Sequence, residues 1–237
     1  MKARMRARVL TCGIAFSSLA IVGMLPAADV SGDRRAGGQV RFKVCAARNL
    51  KGLRFESRTG VVESLKFYSS SRSREYAFTG EGPILFFRES DGEPRIVEAV
   101  VDTAGLPANA LFIFLARDKD GGTRNAGYDV VVYDDSDERL PRRHVAVANL
   151  SEFPLECRLG DSRFSLASGG FSVPYRVKRS VSLAITMVSG SPVFEYPLVR
   201  LERGERALLI LFPPYLLGSA EVQARWLRDT RGSERKE

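Results

Sequence analysis

Short apolar runs separated by clusters of Gly, Pro, Ser, Asn and Asp recur along almost the whole chain. The stretch 143–175 shows the grammar most clearly. Apolar segments there are broken by turn residues at 149–154, at Gly160-Asp161 and at 168–170. Apolar positions that alternate with polar ones over a few residues, closed by turn formers, predict short antiparallel strands. Strands are expected at 40–45, 61–68, 75–79, 84–88, 96–101, 111–115 and 128–133. In the second half they are expected at 144–148, 155–159, 163–166, 171–177, 180–187, 192–196, 206–212 and 221–227. Leu111-Phe-Ile-Phe-Leu115 is continuously apolar and predicts a strand buried on both faces. Ser90-Asp91-Gly92 predicts a tight hairpin turn, and 118–122 another turn. No segment carries a sustained apolar stripe at helical spacing. A short helix is conceivable only near 46–54 or 214–218.

The two halves repeat in outline. Leu111 to Leu115 parallels Leu208 to Phe212, and Val130 to Asp135 parallels Ala224 to Asp229. The segment 65–68, with the short strand ending at Gly80, is set against 145–148 with the strand ending at Gly160. The offset drifts, so a duplication would carry insertions. The expected fold is an all-β, mostly antiparallel β-sandwich, with two similar domains in tandem and a boundary near 136–141. The divisions are a signal peptide at 1–28, a linker at 29–39, sandwiches at 40–137 and 138–228, and a charged tail at 229–237.

The first residues change this picture. Lys2, Arg4, Arg6 and Arg8 precede an apolar run at 9–25, and Pro26-Ala27-Ala28-Asp29 closes it with small residues. That is the layout of an export signal cleaved after Ala27 or Ala28. The alternative is an uncleaved anchor, since the run approaches the roughly 17 residues that span a bilayer. Cys12 precedes the apolar run, where a lipidated Cys would end it. Export leaves Cys45 and Cys157 as an even pair in an oxidising compartment. They are either bridged or two buried thiols, and the sequence leaves both open. The chain holds 36 Lys and Arg against 28 Asp and Glu, a net +8. Without the four cations of the leader the balance is a mild +4, which favours weak attraction to anionic surfaces. It lacks the clustered basic residues with interleaved aromatics that nucleic-acid binding wants.

Candidate chemistry is sparse. His144 is the single histidine, which removes His-based zinc sites and hydrolase triads. Asp129, Asp134, Asp135, Asp137 and Glu138 offer hard oxygen ligands, but without the spacing of a calcium loop. They read first as a solvated inter-strand loop. No glycine pattern opens a helix for a nucleotide, and no serine sits in a nucleophile elbow. No cofactor and no metal is expected. Phe212-Pro213-Pro214-Tyr215-Leu216-Leu217 is apolar where the chain must turn, which suggests a partner-facing patch.

The second half resembles exported bacterial β-sandwich domains of the transthyretin-like or immunoglobulin-like kind. The residues that carry the likeness are Val145-Ala-Val-Ala-Asn-Leu-Ser151, Phe164-Ser-Leu-Ala-Ser-Gly169 and Leu201-Glu-Arg-Gly-Glu-Arg-Ala-Leu-Leu209. The resemblance implies a fold and export, and no activity. The expected function is a non-catalytic binding or assembly module in the periplasm or at the cell surface. Its expected partner is another cell-envelope protein or a glycan, not nucleic acid; a membrane enters only if the N-terminal segment stays uncleaved. Two alternatives remain: a carbohydrate-binding module using Trp226 and Tyr215, and an enzyme with a carboxylate or metal site at 129–138.

Overall fold

The computed structural model describes residues 39–68, 71–89, 94–117, 127–214 and 221–230. The expected leader at 1–28, most of the linker, the Ser90–Gly92 turn, the 118–122 turn, Tyr215, Leu216, Leu217 and the tail beyond Thr230 lie outside them. Every regular element among the described residues is a strand. The first half holds β1 (Val40–Ala46), β2 (Arg54–Arg58), β3 (Val61–Ser64), β4 (Tyr76–Phe78), β5 (Ile84–Arg88), β6 (Ile96–Val101), β7 (Ala110–Ala116) and β8 (Tyr128–Asp134). The second holds β9 (His144–Asn149), β10 (Leu155–Leu159), β11 (Ser162–Leu166), β12 (Gly170–Phe171), β13 (Tyr175–Arg176), β14 (Val181–Met187), β15 (Pro192–Val199), β16 (Glu205–Phe212) and β17 (Gln223–Thr230).

These strands form four sheets. An outer sheet β3-β2-β5-β6 covers an inner sheet β4-β1-β7-β8, and the second half repeats the plan with β11-β10-β14-β15 outside and β12-β9-β16-β17 inside, β13 also pairing with β9. All ladders are antiparallel except the central inner pairs, β1 with β7 and β9 with β16, which are parallel. The equivalence is residue by residue. Val44 faces Phe112 in the first parallel pair, and Val147 faces Leu209 in the second.

Pleat alternation on these strands decides how the halves meet. In the first half Phe42, Val44, Phe112 and Phe114 point towards the outer sheet and join an aromatic core with Phe55, Tyr76 and Phe86. In the second, Val145, Val147, Leu209 and Leu211 do the same in an aliphatic core. The alternate positions Cys45, Leu111 and Ile113, with Ala146, Ala148, Leu208 and Ile210, build a third core between the two inner sheets. Residues 36–237 group as one compact unit, and its sheets are stacked four layers deep. Burial on both faces explains why β7, β9 and β16 read as near-continuous apolar runs.

A second repeat sits at the inner sheets' interrupted edge. The Val44 N–H donates to Ser73 Oγ at 2.8 Å, and the Ser73 N–H donates to the Val44 carbonyl at 3.1 Å. Val147 and Ser172 make the same pair of bonds at 2.9 and 2.8 Å. Each serine stands three residues before a tyrosine, in Ser73-Arg-Glu-Tyr76 and Ser172-Val-Pro-Tyr175.

Several expectations need correction. The segment 65–68 leaves its strand after Ser64; Leu65 and Phe67 are buried in the first core without a ladder. The structural equivalent of 145–148 is therefore β1 and not 65–68. The expected strand 171–177 is two fragments, because Ser172 turns its hydroxyl into the ladder. Residues 46–54 contain no helix, and β17 continues through Asp229 and Thr230, which the sequence assigned to a tail.

Both described cysteines are free and buried. Cys45 faces the layer between the inner sheets, and Cys157 lies in the second outer sheet's core. The second inner sheet stands between them. Stacked sheets are about 10 Å apart, too far for the Cα separation a disulfide requires. Burial pushes both thiols up to about 12, with the Arg72 charge opposing the rise at Cys45 and the Glu156 charge adding to it at Cys157. Alkylation of the folded protein at neutral pH should leave both unlabelled, since the thiolate is the reactive form. Unfolding without reductant should label both, read by peptide mass. A Cys45–Cys157 dipeptide in that digest would contradict the arrangement.

Candidate functional site

Two features could bear function. One is charged and sits at the end where β1, β7, β9 and β16 begin. A cleft of about 480 Å³ opens there, lined among others by Arg41, Lys43, Asp137, Glu138, Arg142 and Arg206. Its floor is a buried ionic network. Arg72 donates twice to Asp135, Nε to Oδ2 and Nη2 to Oδ1, both at 2.8 Å, and once more to the Leu227 carbonyl at 3.1 Å. Those side chains are 5 % and 3 % exposed. Arg206 donates to Asp229 Oδ2 at 2.8 Å and to the carbonyls of Asp135, Ser136 and Leu140. Arg142 reaches Asp137 at 3.2 Å and Asp229 at 3.3 Å.

The network crosses the third core. Arg72 belongs to the first half and bonds a carbonyl of β17; Arg206 belongs to the second and bonds the chain joining the halves. Asp135 and Asp229 hold equivalent places, each following the residue paired with the equivalent alanine of its central strand, Asp134 with Ala110 and Arg228 with Ala207. Burial works against the charge on Arg72, but Asp135 beside it, with its hydrogen bonds, outweighs this and raises the guanidinium above its ordinary range. Asp229 is opposed by burial in the same way. The hydrogen bond from Arg206 and the charges of Arg72, Arg206 and Arg142 nevertheless hold its carboxyl below the usual range.

The carboxylates singled out in the sequence are thus divided rather than convergent. Asp135 and Asp137 are bonded to arginines; Asp129 pairs with Arg117 at 2.7 Å on the surface, and Asp134 accepts the Ser136 N–H. Among the described residues no group of three or more His, Cys, Asp or Glu is arranged to hold a metal ion. His144 is half-buried with Nδ1 2.9 Å from the Arg142 carbonyl. Nothing in the local sequence pattern around Arg72, Arg142 or Arg206 marks a buried arginine.

The second feature is apolar. On the outward face of the first outer sheet, the register sets Leu85 opposite Val100 and Phe87 opposite Val97. Leu85, Ile96, Val97 and Val100 are each between 43 % and 56 % exposed. A slot of about 270 Å³ is floored by Leu85, Phe87 and Val97 and rimmed by Glu56, Arg58 and Arg95. Arg95 lies over the Phe87 ring at 4.6 Å and pairs with Glu56 at 3.4 Å.

The patch expected at Phe212, Pro213 and Pro214 is not of this kind. Phe212 is buried in the third core at the end of β16, and the two prolines are half-buried. Of that run only Phe212 belongs to a strand, as the last residue of β16; Tyr215, Leu216 and Leu217 lie outside the described residues. Trp226 packs against the second core, with its ring 5.9 Å from Tyr196 in an edge arrangement. Neither protein-family models nor curated proteins yield a match to this chain.

Removing one partner of the buried network leaves a charge in the interior, which costs about 3–5 kcal/mol. Arg72→Met and Asp135→Asn should each lower denaturant stability by that order, and the double variant should recover part of the loss. Strict additivity would show that the pair is not coupled. Because the folded Asp229 carboxyl titrates below its unfolded value, its stabilisation is present above about pH 4 and is lost as pH falls through the lower folded value. Asp229→Asn should be less stable at neutral pH and flatten the acid limb of an unfolding curve; an unchanged limb would remove Asp229 from the network.

Proposed function

We propose that the protein is a non-catalytic, exported module of the cell envelope that binds a protein partner through the outward face of its first outer sheet. The observation that carries this reading is the exposed aliphatic row Leu85, Val97 and Val100 beside the Arg95–Glu56 rim. Exposed apolar side chains that are contiguous and edged by charge are characteristic of protein contact surfaces. The leader-like residues 1–28 support export. The self-neutralised state of the charged cleft supports a structural role there, since its guanidinium and carboxylate groups are already spent on one another.

The likeness to transthyretin-like domains belongs to the same proposal. It is supported over the immunoglobulin-like alternative by the strand order, in which the first strand lies between the fourth and the seventh. An immunoglobulin sheet sets its first strand beside its second.

A photo-crosslinking residue at Val97 or Val100, introduced in cells that export the chain, should give discrete protein adducts. Glu at both positions should abolish co-purification of the same partner without shifting the unfolding temperature. Absence of any protein adduct, combined with binding on a glycan array that Trp226→Ala removes, would replace this reading by the carbohydrate one.

A further inference from the structure

Charge is divided unevenly between the halves. Residues 40–137 carry fourteen Lys and Arg against fifteen Asp and Glu, whereas residues 138–230 carry thirteen against nine. Pairing is uneven as well. In the first half Arg41, Arg54, Arg74, Arg88, Arg95 and Arg117 each meet a carboxylate. In the second half Arg158, Arg163, Arg176, Lys178 and Arg179 are exposed, and among the described residues none of them meets one.

The fold gathers these cations at one end. Arg158 in β10 and Arg163 in β11 are direct cross-strand partners. Like charges so placed repel and destabilise the hairpin, so an external anion would relieve them. Their hairpin turns at Gly160, with a backbone φ of 61°. A Cβ there would come within 2.9 Å of Tyr175 Oη and 3.0 Å of Val181. The Gly160 N–H donates to the Ser182 carbonyl at 2.9 Å. The turn is thus pressed against β13 and the start of β14, which bring Arg176, Lys178 and Arg179. Arg143 joins them: its carbonyl accepts the Val177 N–H, and its guanidinium donates to the Lys178 carbonyl. Its φ of 62° is unusual for a residue with a side chain and is held by those bonds and by its N–H to Glu205. Asp161 is the one carboxylate that these turns carry.

We propose that this end of the second sandwich docks on a bilayer surface of anionic phospholipid headgroups. An end built from turns and carrying several exposed cations suits a broad sheet of negative charge, and each cation near such a surface adds to attraction. Leu198 is exposed at the end of β15 beside them, since Val199 pairs with Val181 two residues beyond Arg179. The chain also enters β1 at this end: Arg41 and Lys43 line the same cleft as Arg142, the neighbour of Arg143. The apolar run 9–25 lies upstream of that point in sequence.

Flotation of the full chain with vesicles tests the proposal. Phosphatidylcholine vesicles report any contribution of the N-terminal run, and vesicles of phosphatidylcholine mixed with phosphatidylglycerol report the added electrostatic part. Binding should be stronger to the mixed vesicles, and the increment should vanish at high salt. Arg158→Gln with Arg163→Gln and Arg179→Gln should reduce the increment on the order of fivefold per charge. Arg54→Gln with Arg95→Gln, which removes paired cations of the first half, should leave it unchanged. So should Val97→Glu, which separates this result from the apolar face. A thermal melt checks that each variant is folded, and Arg163→Gln alone serves if the triple variant is not. An undiminished increment in a folded variant would overturn the proposal. So would stoichiometric binding of soluble polyphosphate without vesicle binding, which would assign the cations to a free anionic polymer.

Discussion

Everything in this molecule depends on two sheets that are buried on both faces. The inner sheets touch one another through one set of side chains and their outer sheets through the other, so the central strands β7, β9 and β16 are apolar at nearly every position. That demand fixes register strictly, because a slip by one residue would exchange the two sets. It also explains the parallel pairing of first and seventh strands, an arrangement seen where both faces are covered. The outer sheets are released from it. Their outward residues are free to vary, and there the charged and exposed apolar positions gather.

The Arg72–Asp135–Arg206–Asp229 network belongs to the same constraint. A third core made of Cys45, Leu111, Ala146, Leu208 and their neighbours is apolar and mostly aliphatic. Apolar contact alone holds two such faces together without choosing one alignment over another. Bidentate arginine bonds have fixed directions; Asp135 holds Arg72 in that way, and Arg72 Nη1 then donates to the Leu227 carbonyl of β17. We therefore assign the network the task of setting the alignment, with apolar burial supplying most of the attraction.

Strand positions were legible in the sequence wherever one period held throughout. The segments at 84–88, 96–101 and 155–159 appear with the boundaries the pattern predicts. The equivalence of 111–115 with 208–212 was legible for the same reason, since both are central strands under the same burial. What the sequence hid was the partner of β1. Phe42 and Val145, and Phe112 and Leu209, are equivalent places filled by different residue types, because one core is aromatic and the other aliphatic. Ser73 and Ser172 did carry a signal in the shared Ser-x-x-Tyr spacing, but a hydroxyl in a ladder looks like any turn serine. The candidate site was least legible. Phe212 reads as apolar whether it faces a partner or an inner sheet, and a buried arginine resembles a surface one until its carboxylate is found far along the chain.

The two serine hydroxyls have one further consequence. By taking the N–H of the central strand, each breaks the edge beside it into short pieces, so that margin of each inner sheet offers no long row of free peptide groups. The most hydrophobic strands of the chain, which would be its most adhesive if exposed, therefore lie next to a margin on which another chain cannot build a continuous ladder. A fold with so much double-faced apolar strand carries a standing risk of fibre formation, and two small polar side chains help to keep it a discrete particle.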